Sequence, residues 1–105
     1  MEFGIFDHLD HTGMDLRTQY VQRLELAALY DELGFYAYHL AEHHSTPLGM
    51  SPSPSVFLSA VIQRTRRLRI GPLVYLLPLY HPLRLIEEVC MLDNLSGGRM
   101  QVGVS

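Results

Sequence analysis

Side chains that can move protons or bind metals are concentrated in three short segments of this 105-residue sequence. The segments together contain five of the six histidines and span residues 7–11, 42–44 and 75–81. Each segment also contains carboxylates or tyrosines, namely Asp7, Asp10, Glu42, Tyr75 and Tyr80. An imidazole next to such a group can act as a general acid or base near neutral pH, and it can also bind a metal ion. The three segments are therefore the candidate sites of chemistry.

The run Glu42-His43-His44 admits two interpretations. In a metal site, histidine and carboxylate would hold the ion and leave an open position that activates water. Adjacent side chains on a strand point to opposite faces, however, so the two histidines are poor co-ligands, and the sequence has no HExxH motif. In acid–base chemistry, one histidine would be positioned by Glu42 while the other holds the loop or a substrate group. The second interpretation is favoured, and we predict no metal ligands.

The elements that must position these segments repeat along the chain. Strand-like apolar runs begin at intervals of roughly 30 residues, the size of one βα unit, near Glu2, Phe35, Leu68 and Arg99. The patterns between them predict helices over about residues 16–33, 54–65 and 82–95. Asp15 is the expected N-cap of the first helix, and Gly34 is expected to follow its last turn. The order βαβαβαβ predicts a parallel sheet, because parallel neighbours need a crossover.

The turn after the first strand favours a barrel over an open doubly wound sheet. A dinucleotide-binding sheet needs a glycine-rich turn there, whereas residues 8–13 read HLDHTG without GxGxxG. We therefore predict an α/β fold that supplies the first four strands of a TIM (β/α)8 barrel. A complete barrel needs about 250 residues, so residues 1–105 are expected to form a partial barrel domain, its N-terminal half. The three segments then lie at the carboxyl ends of the strands, where barrel enzymes carry their chemistry.

Composition and charge restrict the class of protein. The net charge of −3 argues against nucleic acid or an anionic membrane as the main partner. The longest uncharged apolar run, residues 70–80, contains two prolines and is too short to span a bilayer. Glu2 and Asp7 near the start are atypical of a signal peptide, so we expect a cytoplasmic protein. The single cysteine, Cys90, excludes an internal disulfide, and its apolar neighbours predict a buried, inert thiol.

Two features near the third strand have structural interpretations. The basic run QRTRRLR at residues 63–69 falls between the second helix and the third strand, at the amino end of the sheet. We expect its arginines to be solvated and to complement the helix C-terminus rather than to bind phosphate. Pro72 is unusual within a central strand and predicts a local irregularity just before Leu73 and Val74.

Three stretches of the sequence together resemble the bacterial luciferase-like monooxygenases. These are AEHHSTPLG at residues 41–49, LPLYHPLRLIEEVCMLDNLSGGR at residues 77–99, and the final GVS. The resemblance begins at FGIFD near Phe3, runs over the whole chain, and covers about the first third of a typical member. It implies a flavin-dependent (β/α)8 enzyme in which reduced flavin and O2 oxygenate a small organic substrate. The EHH form favours FMN over the deazaflavin F420, and a separate flavin reductase is a possible partner.

The resemblance also implies roles for individual residues. The family's catalytic histidine corresponds to His43, with Glu42 beside it at the flavin. A non-proline cis peptide beneath the flavin ring corresponds to Leu73–Val74, and a position near the flavin corresponds to Ser105. His81 corresponds to a family active-site position. Asp7, His44 and Tyr75 are also expected to line the substrate or the active site, because they follow the predicted strands. The family's phosphate-binding positions lie on later strands, outside these 105 residues.

Two other hypotheses remain open. One is a metal-dependent hydrolase that uses the same strand-end histidines on a partial barrel. The other is a non-catalytic, truncated half-barrel that oligomerises, because its first and fourth strands would otherwise expose their edges. The second and third helices are apolar around much of their circumference, and the family's dimers use these helices, so we predict a homodimer or higher oligomer. The expected partners are a small-molecule substrate and O2, with no nucleic acid and no membrane.

Overall fold

Strands and helices alternate along the chain as the repeat predicts. The computed structural model describes all 105 residues. The strands are β1 (Gly4–Asp7), β2 (Ala37–Leu40) and β3 (Arg69–Pro72). The helices are α1 (Leu16–Glu32), α2 (Pro54–Arg64) and α3 (Pro82–Ser96), and a short 3-10 turn lies at Leu77–Leu79. No helix is long and apolar enough to cross a membrane.

The three strands form a parallel sheet in the order β1-β2-β3. Residues paired across parallel strands share a face, so Phe6, His39 and Gly71 lie on one face of the sheet. The opposite face carries Tyr38 and Ile70, which belong to the buried core between the sheet and the helices. Phe6 is half exposed, whereas Gln101 covers the same face at Gly71 and hydrogen-bonds to His39. We call the face that carries Phe6 the open face.

The core is built mainly by α2 and the helix-facing side of the sheet. Helix α2 contributes Phe57, Leu58, Val61 and Ile62, all buried. Burial of each such side chain contributes about 1.5–3 kcal/mol relative to exposure. The remaining core residues come from β2, β3, α1, α3 and the loops: Leu9, Ala27, Tyr38, Leu40, Leu68, Ile70 and Leu92.

The predicted fourth strand is present only as two isolated parallel bridges, Ile70 with Met100 and Tyr75 with Val104. Between the bridges the ladder is interrupted, since Pro72 has no N–H to donate to the last segment. The carbonyl oxygen of Pro72 still accepts from Gly103 N–H at 3.2 Å, and regular pairing resumes when Tyr75 N–H donates to Gly103 at 2.9 Å. The irregularity predicted at Pro72 is therefore confirmed.

Local residues determine where the helices begin and end. The Asp15 carboxylate accepts the Thr18 N–H at 3.1 Å and caps α1, as predicted, while Gly34 adopts a φ of +83° after its last turn. Helix α3 begins with Pro82 and ends at Gly97, which has a φ of +68°. The predicted helix boundaries are thus correct to within one residue.

Two polar side chains tie the amino end of the sheet together. The Asp31 carboxylate accepts the backbone N–H groups of Arg66, Arg67 and Leu68 at 2.9, 2.9 and 2.7 Å. Burial alone would raise the pKa of Asp31, but the three N–H donors outweigh it and hold that pKa below its ordinary value. The Arg99 guanidinium donates to the carbonyl groups that follow or end α2, including Ile62 O and Thr65 O. The basic run is thus held through its backbone.

The structure corrects the expectation for Cys90, which is exposed rather than buried. Of its apolar neighbours, Leu92 belongs to the core, whereas Met91 is exposed on the surface of α3. The exposed apolar side chains of α3 are Leu83, Ile86, Met91 and Leu95. We call these four residues the α3 apolar surface.

Candidate active site

Backbone hydrogen bonds bring the three chemical segments to one end of the sheet. Ala41 N–H donates to Asp7 O at 2.9 Å, and Leu73 N–H donates to Leu40 O at 2.8 Å, so the segments that follow the three strands lie side by side. The loops after β1 and β2 are also joined, because His11 N–H donates to Pro47 O at 2.8 Å and Met50 N–H to Leu9 O at 2.7 Å. The parallel topology therefore assembles the carboxyl-end site that the repeat predicts.

His43 has a fixed position and free ring nitrogens. Its ring lies 5.7 Å from the His8 ring, centroid to centroid, and His8 in turn lies 4.5 Å from the ring of Phe6. Gly49 also packs against His43, since a Cβ there would lie 2.8 Å from Cδ2 of His43. No protein group hydrogen-bonds to either ring nitrogen of the half-buried His43. An imidazole held in this way can exchange a proton with a bound molecule.

The Glu42 side chain, by contrast, is completely buried and fully engaged. Its Oε1 accepts the Tyr80 hydroxyl at 2.6 Å and the Leu76 N–H at 3.2 Å, and its Oε2 lies 2.5 Å from Nε2 of His44. Burial and the hydrogen bond to Glu42 raise the pKa of Tyr80, so its hydroxyl stays protonated and donates. His44 is thus oriented by a carboxylate, and His43 is not.

The peptide bond between Leu73 and Val74 is cis, as the resemblance implies for this position. Gly103 lies against it, since a Cβ there would be 2.9 Å from Pro72 O and 3.1 Å from both Leu73 Cδ1 and Val74 Cγ1. Leu73 is 42% exposed, so its side chain is available at the carboxyl end of the sheet. Contact of Leu73 and Val74 with a flavin remains a prediction.

Asp7 and Tyr75 point toward the helices. The buried Asp7 carboxylate accepts the Leu9 N–H at 3.0 Å and is also bonded to the Arg23 guanidinium and the Tyr38 hydroxyl. Tyr75 is fully buried, and its hydroxyl lies 2.7 Å from Ser55 Oγ on α2. Both side chains are committed to neighbouring elements, and their predicted place in the lining of the site remains a prediction.

His81 and Ser105 are both exposed. Nδ1 of His81 accepts the Leu83 N–H at 3.2 Å and so caps the start of α3. The Ser105 backbone donates to Tyr75 O and accepts from Leu77 N–H, both at 3.0 Å, so this residue ends the same edge of the sheet. The roles that the resemblance implies for these two residues remain predictions.

Four residues of the site were given no role from the sequence. His8 and Tyr80 lie in the predicted segments without an assigned role, although strand parity could have shown that His8 and Asp7 face opposite ways. Phe6 shares the face of His8 by the same parity. Gly49 carries no recognisable signal, because its close approach to His43 arises from the folded loop alone.

The site fits the ring system of a flavin better than it fits a metal ion. No three His, Cys, Asp or Glu side chains form a group that could hold a metal. Phe6 and Leu73 instead offer exposed apolar surface at the same end of the sheet as the free imidazole of His43, which suits a flat aromatic ring with polar edges. Four arginines are not placed to hold a flavin phosphate here, because Arg23 is paired with Asp7 and the others lie at the amino end of β3: Arg66, Arg67 and Arg69.

Comparison with known proteins shows how much of a larger protein the chain corresponds to. The protein y4wF of Sinorhizobium fredii is 64% identical over 104 residues, which are 99% of this chain and 30% of that protein. The crystal structure of the monooxygenase RslO1 from Streptomyces bottropensis matches with a TM-score of 0.94 at 38% identity, over 99% of this chain and 32% of that one. The oxygenating constituent of 3,6-diketocamphane monooxygenase from Pseudomonas putida, solved in complex with FMN, matches with a TM-score of 0.93 at 25% identity, over 100% of this chain and 29% of that one.

The chain therefore spans less than a third of the length of these three proteins. The predicted fold class is confirmed, since the parallel α/β architecture is that of part of a luciferase-like TIM-barrel monooxygenase. The family model for luciferase-like monooxygenases matches residues 1–105, so the chain belongs to the luciferase-like monooxygenase family.

Proposed function

We propose that this chain supplies the early strand ends of a flavin-dependent monooxygenase that uses reduced FMN and O2 to oxygenate a small organic substrate. Membership of the family and the FMN bound by the 3,6-diketocamphane enzyme support the proposal. The observation that carries it is His43, an imidazole with both ring nitrogens free. Its ring contacts His8, which lies beside the exposed ring of Phe6, and the exposed side chain of Leu73 lies at the same end of the sheet.

Each of these residues has a separate task in the proposed site. Phe6, Leu73 and Val74 would contact the flavin ring and keep water away from it. When bound, reduced flavin supplies the electrons and activates O2. His43 then donates or accepts a proton through a ring nitrogen, and His8 and Gly49 keep its ring from turning away.

Flavin binding and reoxidation test this proposal directly. Oxidised FMN is titrated into the full chain up to about 1 mM, with F420 titrated in parallel, and flavin fluorescence and absorbance are recorded. Chemically reduced FMN is then mixed with O2 in a stopped-flow instrument in the presence of wild type, His43→Ala or His43→Gln. We expect FMN to bind better than F420, and both His43 variants to change reoxidation about 10²-fold or more while they still bind FMN.

The control is Gln63→Ala, because Gln63 is exposed at the amino end of the sheet, far from His43 in the topology. If the chain leaves FMN spectra unchanged throughout the titration, or if His43→Ala reoxidises reduced FMN like wild type, the proposal is wrong. If F420 alone binds, the cofactor part of the proposal is wrong.

We further propose that a separate reductase supplies the reduced FMN. The 3,6-diketocamphane protein is described as an oxygenating constituent, which supports a two-component system. The test is to compare reduced FMN delivered by a flavin reductase with chemically reduced FMN. Equal rates of reoxidation are expected, because reduced FMN that diffuses freely is the same molecule whether an enzyme or a chemical reductant produced it.

The α3 apolar surface favours oligomerisation as a second candidate function. Its four large apolar side chains are 54–63% exposed on one helix, and a partner that covered them would remove this apolar surface from water. This surface would be covered in a homodimer of the proposed oxygenase. It would also be covered if the chain were a non-catalytic half-barrel that oligomerises. Light scattering at micromolar concentration distinguishes these from a monomer, and FMN binding distinguishes the dimeric oxygenase from the non-catalytic chain.

A further inference from the structure

The buried carboxylate of Glu42 joins two segments that are far apart in sequence. Its partners Leu76 and Tyr80 lie 34 and 38 residues away, in the segment that follows β3, whereas His44 lies in its own segment. One side chain therefore receives donors from both loops at the carboxyl end of the sheet.

The two loops are joined next to the residues proposed to meet the flavin. Glu42 immediately precedes His43, and Leu76 follows the Leu73–Val74 bond by two residues. A shift of the Leu76 backbone relative to Glu42 would change the separation between the imidazole and the apolar side chains of Leu73 and Val74.

We propose that Glu42 is a positioning residue, which sets His43 relative to the Leu73–Val74 segment through its hydrogen bonds to Leu76, Tyr80 and His44. This inference rests on the proposed function, and it gives Glu42 a task different from the direct cofactor contact that the resemblance implies. The Glu42 side chain has no exposed surface, and both of its oxygens already have protein partners. A molecule on the open face could reach the carboxylate only by displacing one of those partners.

Two substitutions separate positioning from simple loss of stability. Tyr80→Phe removes one donor and keeps the ring, so it releases one of the two contacts between Glu42 and the loop after β3. Glu42→Gln keeps the volume of the side chain and an acceptor, but it replaces one carboxylate oxygen by an NH2 group. The matched controls are Tyr30→Phe and Glu87→Gln, since neither the Tyr30 hydroxyl nor the exposed Glu87 carboxylate makes a hydrogen bond.

The experiment records the imidazole resonances of His43 and the hydrogen exchange of the Leu76 amide by NMR in the full chain. We expect Tyr80→Phe and Glu42→Gln to shift the His43 resonances and to speed exchange at Leu76 about tenfold, while the two controls leave both unchanged. We also expect about tenfold weaker FMN binding in both variants. A Tyr80→Phe chain that unfolds more easily but keeps wild-type His43 resonances would show a purely structural role and overturn the proposal.

Failure of the proposed function gives a different result. If wild type does not bind FMN, that function is wrong, but the resonances of His43 and the exchange at Leu76 still report whether Glu42 positions them. If FMN binds and both variants bind it as wild type does, Glu42 is not a positioning residue for this site. Should Glu42→Gln fail to fold, Tyr80→Phe alone decides the question.

Discussion

Replacement of Gly49 by alanine should displace the imidazole of His43, although Gly49 lies outside the three segments that contain the candidate catalytic side chains. A Cβ on residue 49 would lie 2.8 Å from Cδ2 and 2.9 Å from Cβ of His43, and 2.9 Å from the carbonyl oxygen of His8. Contacts this short cannot be kept, so either the loop or the imidazole must move. No left-handed backbone is involved at Gly49, and the effect is therefore purely steric.

The structure indicates which group gives way. The loop is held on both sides of Gly49, by Met50 N–H to Leu9 O at 2.7 Å and by His11 N–H to Pro47 O at 2.8 Å. The His8 carbonyl belongs to the backbone that follows β1 and cannot move alone. The His43 ring has no hydrogen bond to hold it and can turn away from residue 49, but His43 Cβ and the His8 carbonyl move only with their backbones, so the loop at residue 49 should shift as well.

The size of the effect follows from the general cost of overpacking. An extra methyl group in a well-packed site costs about 1–3 kcal/mol, and a domain of this size has about 5–15 kcal/mol of total stability. We therefore expect Gly49→Ala to remain folded and to lose about 2 kcal/mol of its unfolding free energy. Flavin reoxidation assisted by His43 should fall much further, because proton transfer depends steeply on geometry.

Urea unfolding followed by circular dichroism measures the loss of unfolding free energy, and the NMR resonances of His43 report the displacement of its ring. Gly4→Ala is the matched control, since a Cβ there would meet Ala37 O at an ordinary 3.4 Å. The reasoning is refuted if Gly49→Ala has the urea midpoint and His43 resonances of wild type, or if Gly4→Ala changes them as much.

Two further predictions concern the amino end of the sheet. Asp31→Asn should cost about 2 kcal/mol at neutral pH, because a neutral amide oxygen accepts less strongly from the three N–H donors, while Glu32→Gln should change little. The folded pKa of Asp31 is lowered, so its contribution is present above the ordinary carboxylate pKa of about 3.9 and is lost as the pH falls through the folded value. The difference between wild type and Asp31→Asn in urea should therefore shrink below about pH 4, and a constant difference would contradict the assignment. Arg99→Lys should cost about 1–3 kcal/mol, since an ammonium cannot reach all the carbonyl groups that the planar guanidinium joins; equal urea midpoints would contradict this.

The elements could be predicted from sequence because local residues determine them. Asp15 caps α1 through Thr18, and Gly97 ends α3 in a left-handed conformation, so the boundaries follow from side chains within a few positions. The interruption of the last strand was predictable for the same reason, since proline lacks an N–H wherever it stands. Cys90 was not, because its burial depends on whether another element covers α3.

The location of the site was also predictable, but its internal contacts were not. Parallel topology places every strand end on one edge, which is enough to bring His8 and His43 together. Two of the three partners of Glu42, Leu76 and Tyr80, lie more than 30 residues away and depend on the path of the loop after β3. A single sequence contains no local pattern for such contacts, and none for the approach of Gly49 to His43.

After β1 and β2, a hydrogen-bonded carboxylate is followed directly by a histidine of the candidate site. The Asp7 carboxylate is hydrogen-bonded to Arg23 and Tyr38, whereas the next residue, His8, contacts Phe6 and His43. The Glu42 carboxylate is hydrogen-bonded to Tyr80 and His44, whereas the next residue, His43, has no hydrogen bond at either ring nitrogen.

This alternation follows from the two-residue period of a strand, which turns adjacent side chains to opposite faces. A polar residue that faces the helices must find partners because burial leaves it no water, and in doing so it anchors the backbone on which its neighbour stands. His43 is only half buried and has no such demand, so it remains available for proton transfer. The anchors Asp7 and Glu42 should therefore affect both stability and chemistry when replaced, whereas replacement of His43 should affect chemistry alone.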